Sequence, residues 1–289
     1  GEGHFVWSGY QGDNFSLEGF RPTISPKYFF YAPREILKQK KVHDRTVAGV
    51  KACDLRGMKF LRKVFKEGNL IDPFFRDDLF IISADCTYPD QTCFCTFLGD
   101  NPYPEPGEGF DLNLSLIKDG YLVEMAGDRG RELVRKREEL FLSATPSQLE
   151  ERDQIRKRVA HEIGRDLIDL REKITPDKAK ADIVKCVSCG ACTNICPGCF
   201  CFLLQETKDF EKVRFWDSCQ FPGYARVAGG GNPRKELDQR FIHRVRCKFE
   251  YCPQRYGQRG CFACGRCTTA CIGGIDFQDV LQSLQVHSL

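Results

Sequence analysis

The residues best equipped for chemistry are cysteines, and two runs of them share one spacing. Cys186-Val187-Ser188-Cys189-Gly190-Ala191-Cys192-Thr193-Asn194-Ile195-Cys196 and Cys261-Phe262-Ala263-Cys264-Gly265-Arg266-Cys267-Thr268-Thr269-Ala270-Cys271 both read C-x2-C-x2-C-x3-C, with Gly190 and Gly265 at equivalent places. Three thiolates two residues apart on a tight loop reach three corners of one cubane iron–sulfur cluster, and glycine lets the backbone turn close to it. The fourth ligand must come from elsewhere; in two-cluster ferredoxins the last cysteine of each run serves the other cluster. The spacing therefore predicts one [4Fe-4S] cluster on Cys186, Cys189, Cys192 and Cys271 and a second on Cys261, Cys264, Cys267 and Cys196, side by side.

Other uses of thiols fit less well. The chain has 17 cysteines in 289 residues, an odd number in a protein too long for a small secreted disulfide scaffold. Zinc ribbons pair two C-x-x-C units rather than two complete runs, so a zinc-binding structural protein stands only as the alternative from another class. Cys192, Cys196 and Cys199 also spell the C-x3-C-x2-C of radical enzymes, but this overlaps the first run and has no aromatic residue before its last cysteine.

A second group lies early: Cys53, Cys86, Cys93 and Cys95, with no cysteine from 96 to 185. Cys53 and Cys86 each follow a stretch that reads as a buried strand, Thr46 to Val50 and Leu79 to Ser83, and strand ends gather loops at one edge of an α/β sheet. These four thiols are expected to meet and hold a third cubane, with buried free thiols as the competing reading. Cys199, Cys201 and Cys219 remain over, read as thiols packed beside a cluster.

The elements that position these groups follow from pattern. Leu55 to Phe65 reads as a helix. A longer one is expected to start at Thr145-Pro146-Ser147-Gln148, a capping residue with proline in the first turn and glutamine three residues on, and to run through Leu170 before Pro176. Its charges read as a solvated face linking two domains. The expected organisation is an α/β domain over 1–135, a helical linker over 136–180 and an α+β two-cluster ferredoxin-like domain over 181–289, with a long insertion between the cysteine runs. Val227 to Pro233 lacks the lysine and glycine spacing of a phosphate loop and reads as a plain loop. His4, His43, His161, His243 and His287 are scattered, with no nucleophile and base to make a catalytic site.

Composition narrows the partners. With 42% hydrophobic and 29% charged residues the chain is a soluble globular one. Forty-three basic against 40 acidic residues imply neither nucleic acid nor an anionic membrane as partner. Apolar stretches such as Leu79 to Ile82 are too short for a membrane span, so no direct membrane insertion is expected. The first residues show no secretory signal, and a cytoplasmic location is expected.

The chain resembles a known family, the iron–sulfur beta subunit of cytoplasmic nickel–iron hydrogenases (sulfhydrogenases), similar to the 4Fe-4S dicluster subunit of anaerobic sulfite reductase. The resemblance rests on Lys27-Tyr28-Phe29-Phe30 with Pro33-Arg34-Glu35, Ala52-Cys53-Asp54-Leu55, Cys86-Thr87 through Thr92-Cys93-Phe94-Cys95-Thr96, and Phe110-Asp111-Leu112. It continues through Cys196-Pro197-Gly198-Cys199-Phe200-Cys201-Phe202, Trp216-Asp217-Ser218-Cys219, Phe221 to Gly230, Arg255-Tyr256-Gly257 and the second run. It implies a non-catalytic protein passing single electrons between two partners, one a flavin- and NAD(P)-binding subunit, the other a catalytic redox subunit: a hydrogenase first, with sulfite reductase or heterodisulfide reductase as alternatives. Cys247 and Cys252 stand where less reactive residues are expected. Arg266, inside the second run, is expected to face its cluster and raise its potential.

Overall fold

The computed structural model describes residues 16–29, 31–37, 45–66, 72, 75, 78–164, 167–168 and 174–284. In chain order the elements are β1 (Arg34–Ile36), β2 (Arg45–Val50), α1 (Ala52–Lys66), β3 (Leu79–Ala84), β4 (Leu112–Ile117), β5 (Gly120–Met125), α2 (Gly127–Lys136), α3 (Pro146–Ile163), α4 (Lys180–Ile183), α5 (Ala191–Asn194), β6 (Phe202–Glu206), β7 (Lys212–Trp216), α6 (Leu237–Arg246), α7 (Cys252–Tyr256), α8 (Arg266–Thr269) and α9 (Phe277–Ser283). No helix among the described residues is long and apolar enough to cross a membrane.

Strands β2 and β3 and the first helix fall where hydrophobic patterning puts them. β2, β3 and β4 are parallel neighbours and β5 closes the sheet antiparallel to β4. A bulge at Gly49, φ +81°, ends the regular pairing of β2 with β3 just before Cys53. Helix α1 buries Leu55, Met58, Phe60, Leu61 and Phe65, apolar residues that recur along its length on the side facing the core. Its interior Gly57 is explained by packing: a Cβ there would meet Pro197, next to Cys196, at 2.6 Å.

A second sheet, in the order β1-β7-β6, is antiparallel and joins distant parts of the chain. Glu35 on β1 faces Arg214 on β7 in register, and the two form a buried ion pair at 2.6 Å, with Asp72 also bound to Arg214. Tyr31 and Phe65 stack on that guanidinium at 5.0 and 5.5 Å. Contacts thus cross the expected limits at 135 and 181. One core cluster combines Tyr31, Phe60 and Leu61 with Cys252, Phe262 and Cys264, and another combines Phe94 and Phe97 with Phe241, Val245 and Leu281.

Helix α3 begins as expected, with Thr145 and Gln148 forming a reciprocal capping box and Pro146 in the first turn. It is shorter than expected: Gly164, at φ +101°, stops it against the Phe97 ring, and Ile168 N donates to Phe97 O at 2.8 Å. Leu170 lies outside the described residues. Nor is its charged face simply solvated. Arg156 donates to both carboxylate oxygens of the buried Asp85, at 2.7 and 3.3 Å, and pairs with Glu124. Asn113 and Ser115 complete the coordination of Asp85 at 2.9 and 2.7 Å.

That network fixes the residue next to Cys86, so its loss is expected to be costly. Arg156→Met, leaving a buried carboxylate without its cation, is expected to destabilise the protein by about 3–5 kcal/mol in urea unfolding. Arg131→Ala, which breaks an exposed pair with Asp128, should leave the midpoint almost unchanged.

Candidate iron–sulfur centre

The two cysteine runs adopt the same backbone. Ser188 and Ala263, each just before the second cysteine, have φ of +57° and +49°, and Gly190 and Gly265, each just after it, have +75° and +70°. Left-handed conformations cost non-glycine residues energy and mark places where surroundings impose them. Alternating left-handed residues turn successive N–H groups to one side, forming concavities suited to anions and iron–sulfur groups. A short helix follows each loop, α5 after Gly190 and α8 after Gly265, and these two helices pack against one another.

The tails of the runs cross. Gly198, two residues after Cys196, would drive a Cβ into Gly260 O at 2.6 Å, immediately before Cys261. Gly273, two residues after Cys271, would drive one into the carbonyl of Lys185, immediately before Cys186. The end of each run therefore lies against the start of the other. The Ile272-Gly273 that follows Cys271 in place of a proline is thus part of the arrangement: Gly273 repeats the role of Gly198.

Crossing sorts the thiols. Cys186, Cys189, Cys192 and Cys271 line one void together with Cys267. Its volume is ≈ 40 Å³, several times the roughly 10–15 Å³ a single water needs. Among the described residues no three His, Cys, Asp or Glu side chains converge tightly enough to hold one metal ion, so the thiols surround a space rather than a point. Cys196 lies within electrostatic reach of both Cys261 and Cys267, and Cys264 of Cys267. Burial pushes the Cys261 thiol up to about 12 and Cys267 to about 11.

Two buried cations stand between these groups, and sequence reasoning missed both. Arg244 on α6 lies close to Cys192, Cys267, Cys199 and Cys196. Its Nε and Nη2 are buried without a hydrogen-bond partner among the described residues, while its guanidinium stacks on Phe277 at 4.2 Å. One turn on, Lys248 Nζ donates to Cys196 Sγ at 3.2 Å, Cys199 Sγ at 3.5 Å and Gly260 O at 2.9 Å. A buried, unbonded guanidinium on a thiol-lined void is costly by itself and suits an anionic group there. The donor set, the void and the cations fit iron–sulfur clusters. The signal in the sequence was the spacing Arg240, Arg244, Lys248, a cationic stripe at i, i+4 among the buried Phe241, Ile242 and Val245.

The early cysteines gather as well. Cys53, at the start of α1, and Cys93 and Cys95, before Gly99, all interact electrostatically with Cys86, which follows β3. Burial raises all four thiols, Cys93 to about 12. Lys51 beside them donates to Leu17 O and Asp85 O at 2.7 and 2.8 Å. The loop carrying Cys93 is clamped to the second run: Phe94 N donates to Ala263 O at 3.1 Å, Arg21 bridges Cys264 O and Asp90, and Gly265 abuts Thr92. Cys53 interacts with Cys264. The early thiols therefore border the second set, as the second borders the first.

Arg266 is buried but committed elsewhere. It binds both carboxylate oxygens of Asp54 at 2.8 and 2.7 Å and donates to Pro22 O and Thr23 O. Its charge lies near Cys264 and Cys53 and is paired with that carboxylate. His243 is half-buried near Tyr251, its basicity reduced to about 4 by burial and by Arg234 and Arg246; His4, His43 and His287 lie outside the described residues.

The crossing predicts a specific sensitivity. Gly198→Ala and Gly273→Ala, each forcing a methyl into backbone, are expected to cost about 1–3 kcal/mol. Gly223→Ala, whose Cβ would meet nothing within 4 Å, should be near neutral; equal effects at all three in urea unfolding would contradict the crossing.

Residues 185–275 match the model of a 4Fe-4S dicluster domain. The chain is 32% identical to sulfhydrogenase 2 subunit beta of Pyrococcus furiosus over 297 aligned positions, covering 94% of this chain and 86% of that one. No solved structure matches it. With both runs inside the dicluster match and the likeness extending over nearly the whole chain, the protein belongs to the family of sulfhydrogenase beta subunits.

Proposed function

We propose that the protein is a non-catalytic electron-transfer subunit, relaying single electrons between two partners, one a flavin- and NAD(P)-binding subunit, the other a catalytic redox subunit of the hydrogenase kind. The observation that carries this is the pair of congruent, crossed cysteine loops around a thiol-lined void. Cys186, Cys189, Cys192 and Cys271 would hold one [4Fe-4S] cluster, Cys261, Cys264, Cys267 and Cys196 a second, and Cys53, Cys86, Cys93 and Cys95 a third. Such clusters supply reversible one-electron chemistry.

The chain's own residues tune and connect the sites. Burial raises the pKa of Cys53, Cys86, Cys93, Cys95, Cys192, Cys261 and Cys267, so loading displaces protons from these thiols. Arg244 and Lys248 offset the negative charge this leaves, while backbone N–H groups of the loops stabilise sulfur. Cys53 beside Cys264, and Cys267 beside Cys192, make the three sets a continuous series. The series reaches the surface at the exposed Cys189, next to exposed Val187, where a partner can approach.

The second set is approached from another side. A cleft of ≈ 680 Å³ beside Phe262 is lined by Lys59, Arg62, Lys63 and Lys66 of α1 and by Arg259, with Asp100 and Glu108 also on its wall. Its excess of positive charge supports an acidic partner surface there.

Metal counting tests the assignment. In protein purified without oxygen, Cys189→Ser, Cys264→Ser and Cys86→Ser are each expected to remove about four irons with matching sulfide. Zinc without sulfide would overturn the electron-transfer reading, and unchanged iron in Cys86→Ser would remove the third cluster from it.

A further inference from the structure

Of the five thiols outside the three sets, four lie near one another: Cys201, Cys219, Cys247 and Cys252. Cys201 precedes β6, Cys219 follows β7, Cys247 opens a π-helical segment, Cys247–Tyr251, and Cys252 follows it directly. In an α-helix, residues five apart point about 140° away from each other. Here Cys252 N donates to Cys247 O, widening the turn to i→i+5 and bringing both side chains to one face; such turns recur at functional sites. The two Sγ atoms are 3.9 Å apart.

The other two thiols form a second pair. Cys219 and Cys201 lie within electrostatic reach of one another, as Tyr224 does of Cys201. The pairs are neighbours: Cys201 interacts with Cys247 and Cys252, and Cys219 with Cys247. Cys219 and Cys252 are buried, and the Lys248 charge acts on Cys201, Cys247 and Cys252.

Pairing selects the ligand. Two thiolates on one tetrahedral metal, with metal–sulfur bonds of about 2.3 Å, lie roughly 3.8 Å apart, close to the Cys247–Cys252 separation. A mononuclear site would bring all four thiols to one point, yet no three among the described residues converge that way. Two adjacent pairs match a binuclear centre, in which each iron takes two thiolates. We propose that Cys201, Cys219, Cys247 and Cys252 form a further iron–sulfur site of the [2Fe-2S] class, one thiol pair to each iron. Loading exchanges the four thiol protons for iron–sulfur bonds and leaves an anionic site that Lys248 counterbalances.

The test uses the full chain purified without oxygen, comparing wild type with Cys247→Ser/Cys252→Ser and with Cys201→Ser/Cys219→Ser. Each double variant is expected to lose about two irons and two sulfides, together with the EPR and visible circular-dichroism signature of a [2Fe-2S] centre. The irons removed by Cys264→Ser should remain in both, which shows that the variants fold and separates this proposal from the cubane assignment. Unchanged iron content would overturn it. So would zinc in place of iron, or a wild-type mass showing Cys247 and Cys252 joined as a disulfide.

Discussion

The arrangement depends on two close backbone approaches, Gly198 against Gly260 and Gly273 against Lys185. Each binds the tail of one cysteine run to the head of the other, and neither tolerates a side chain. The constraint converts a sequence repeat into a spatial one. Local spacing can aim three thiols at one place, but only the crossing carries Cys271 to the void of the first loop and Cys196 to the thiols of the second. Everything else in the fold holds these tails in register. Gly57 lets α1 accept Pro197, Arg21 and Thr92 fasten the early loop to Cys264 and Gly265, and α5 packs on α8.

Electrostatics sets the second requirement. Burial makes Cys192, Cys261 and Cys267 resist ionisation, and the cations Arg244 and Lys248 are as deeply enclosed. A buried cation is unfavourable by itself in a low-dielectric interior, and an anionic iron–sulfur group held by these thiols would complete the balance. Asp54 holds Arg266 out of this exchange, whereas Arg244 has two nitrogens with no hydrogen-bond partner among the described residues. The folded state and the loaded state are therefore linked, as in other metal-dependent domains.

Much of this was legible in the sequence because it is local. The spacing of both cysteine runs, the periodicity of Ala52–Lys66, the strands ending before Cys53 and Cys86, and the capping box at Thr145 each depend on a few consecutive residues. What was not legible depends on distant partners. Three residues of β1 find β7 some 180 positions away through Glu35 and Arg214. Arg244 and Lys248 look like surface charges until the helix that carries them is seated on the clusters' side of the core. Gly273 looks like a departure from the first run until its contact with Lys185 is seen. The apolar spacing of α3 continues beyond Gly164, while the glycine's contact with Phe97 stops the helix there.

The central claim is that the two cysteine runs form crossed, adjacent centres. Low-temperature EPR of the fully reduced, anaerobically purified protein tests it most directly. Two cubanes held side by side should give a spin–spin-coupled spectrum that collapses to simple uncoupled signals when only one centre is reduced. Fully reduced protein whose spectrum is the plain sum of isolated centres at every microwave frequency would contradict the crossing.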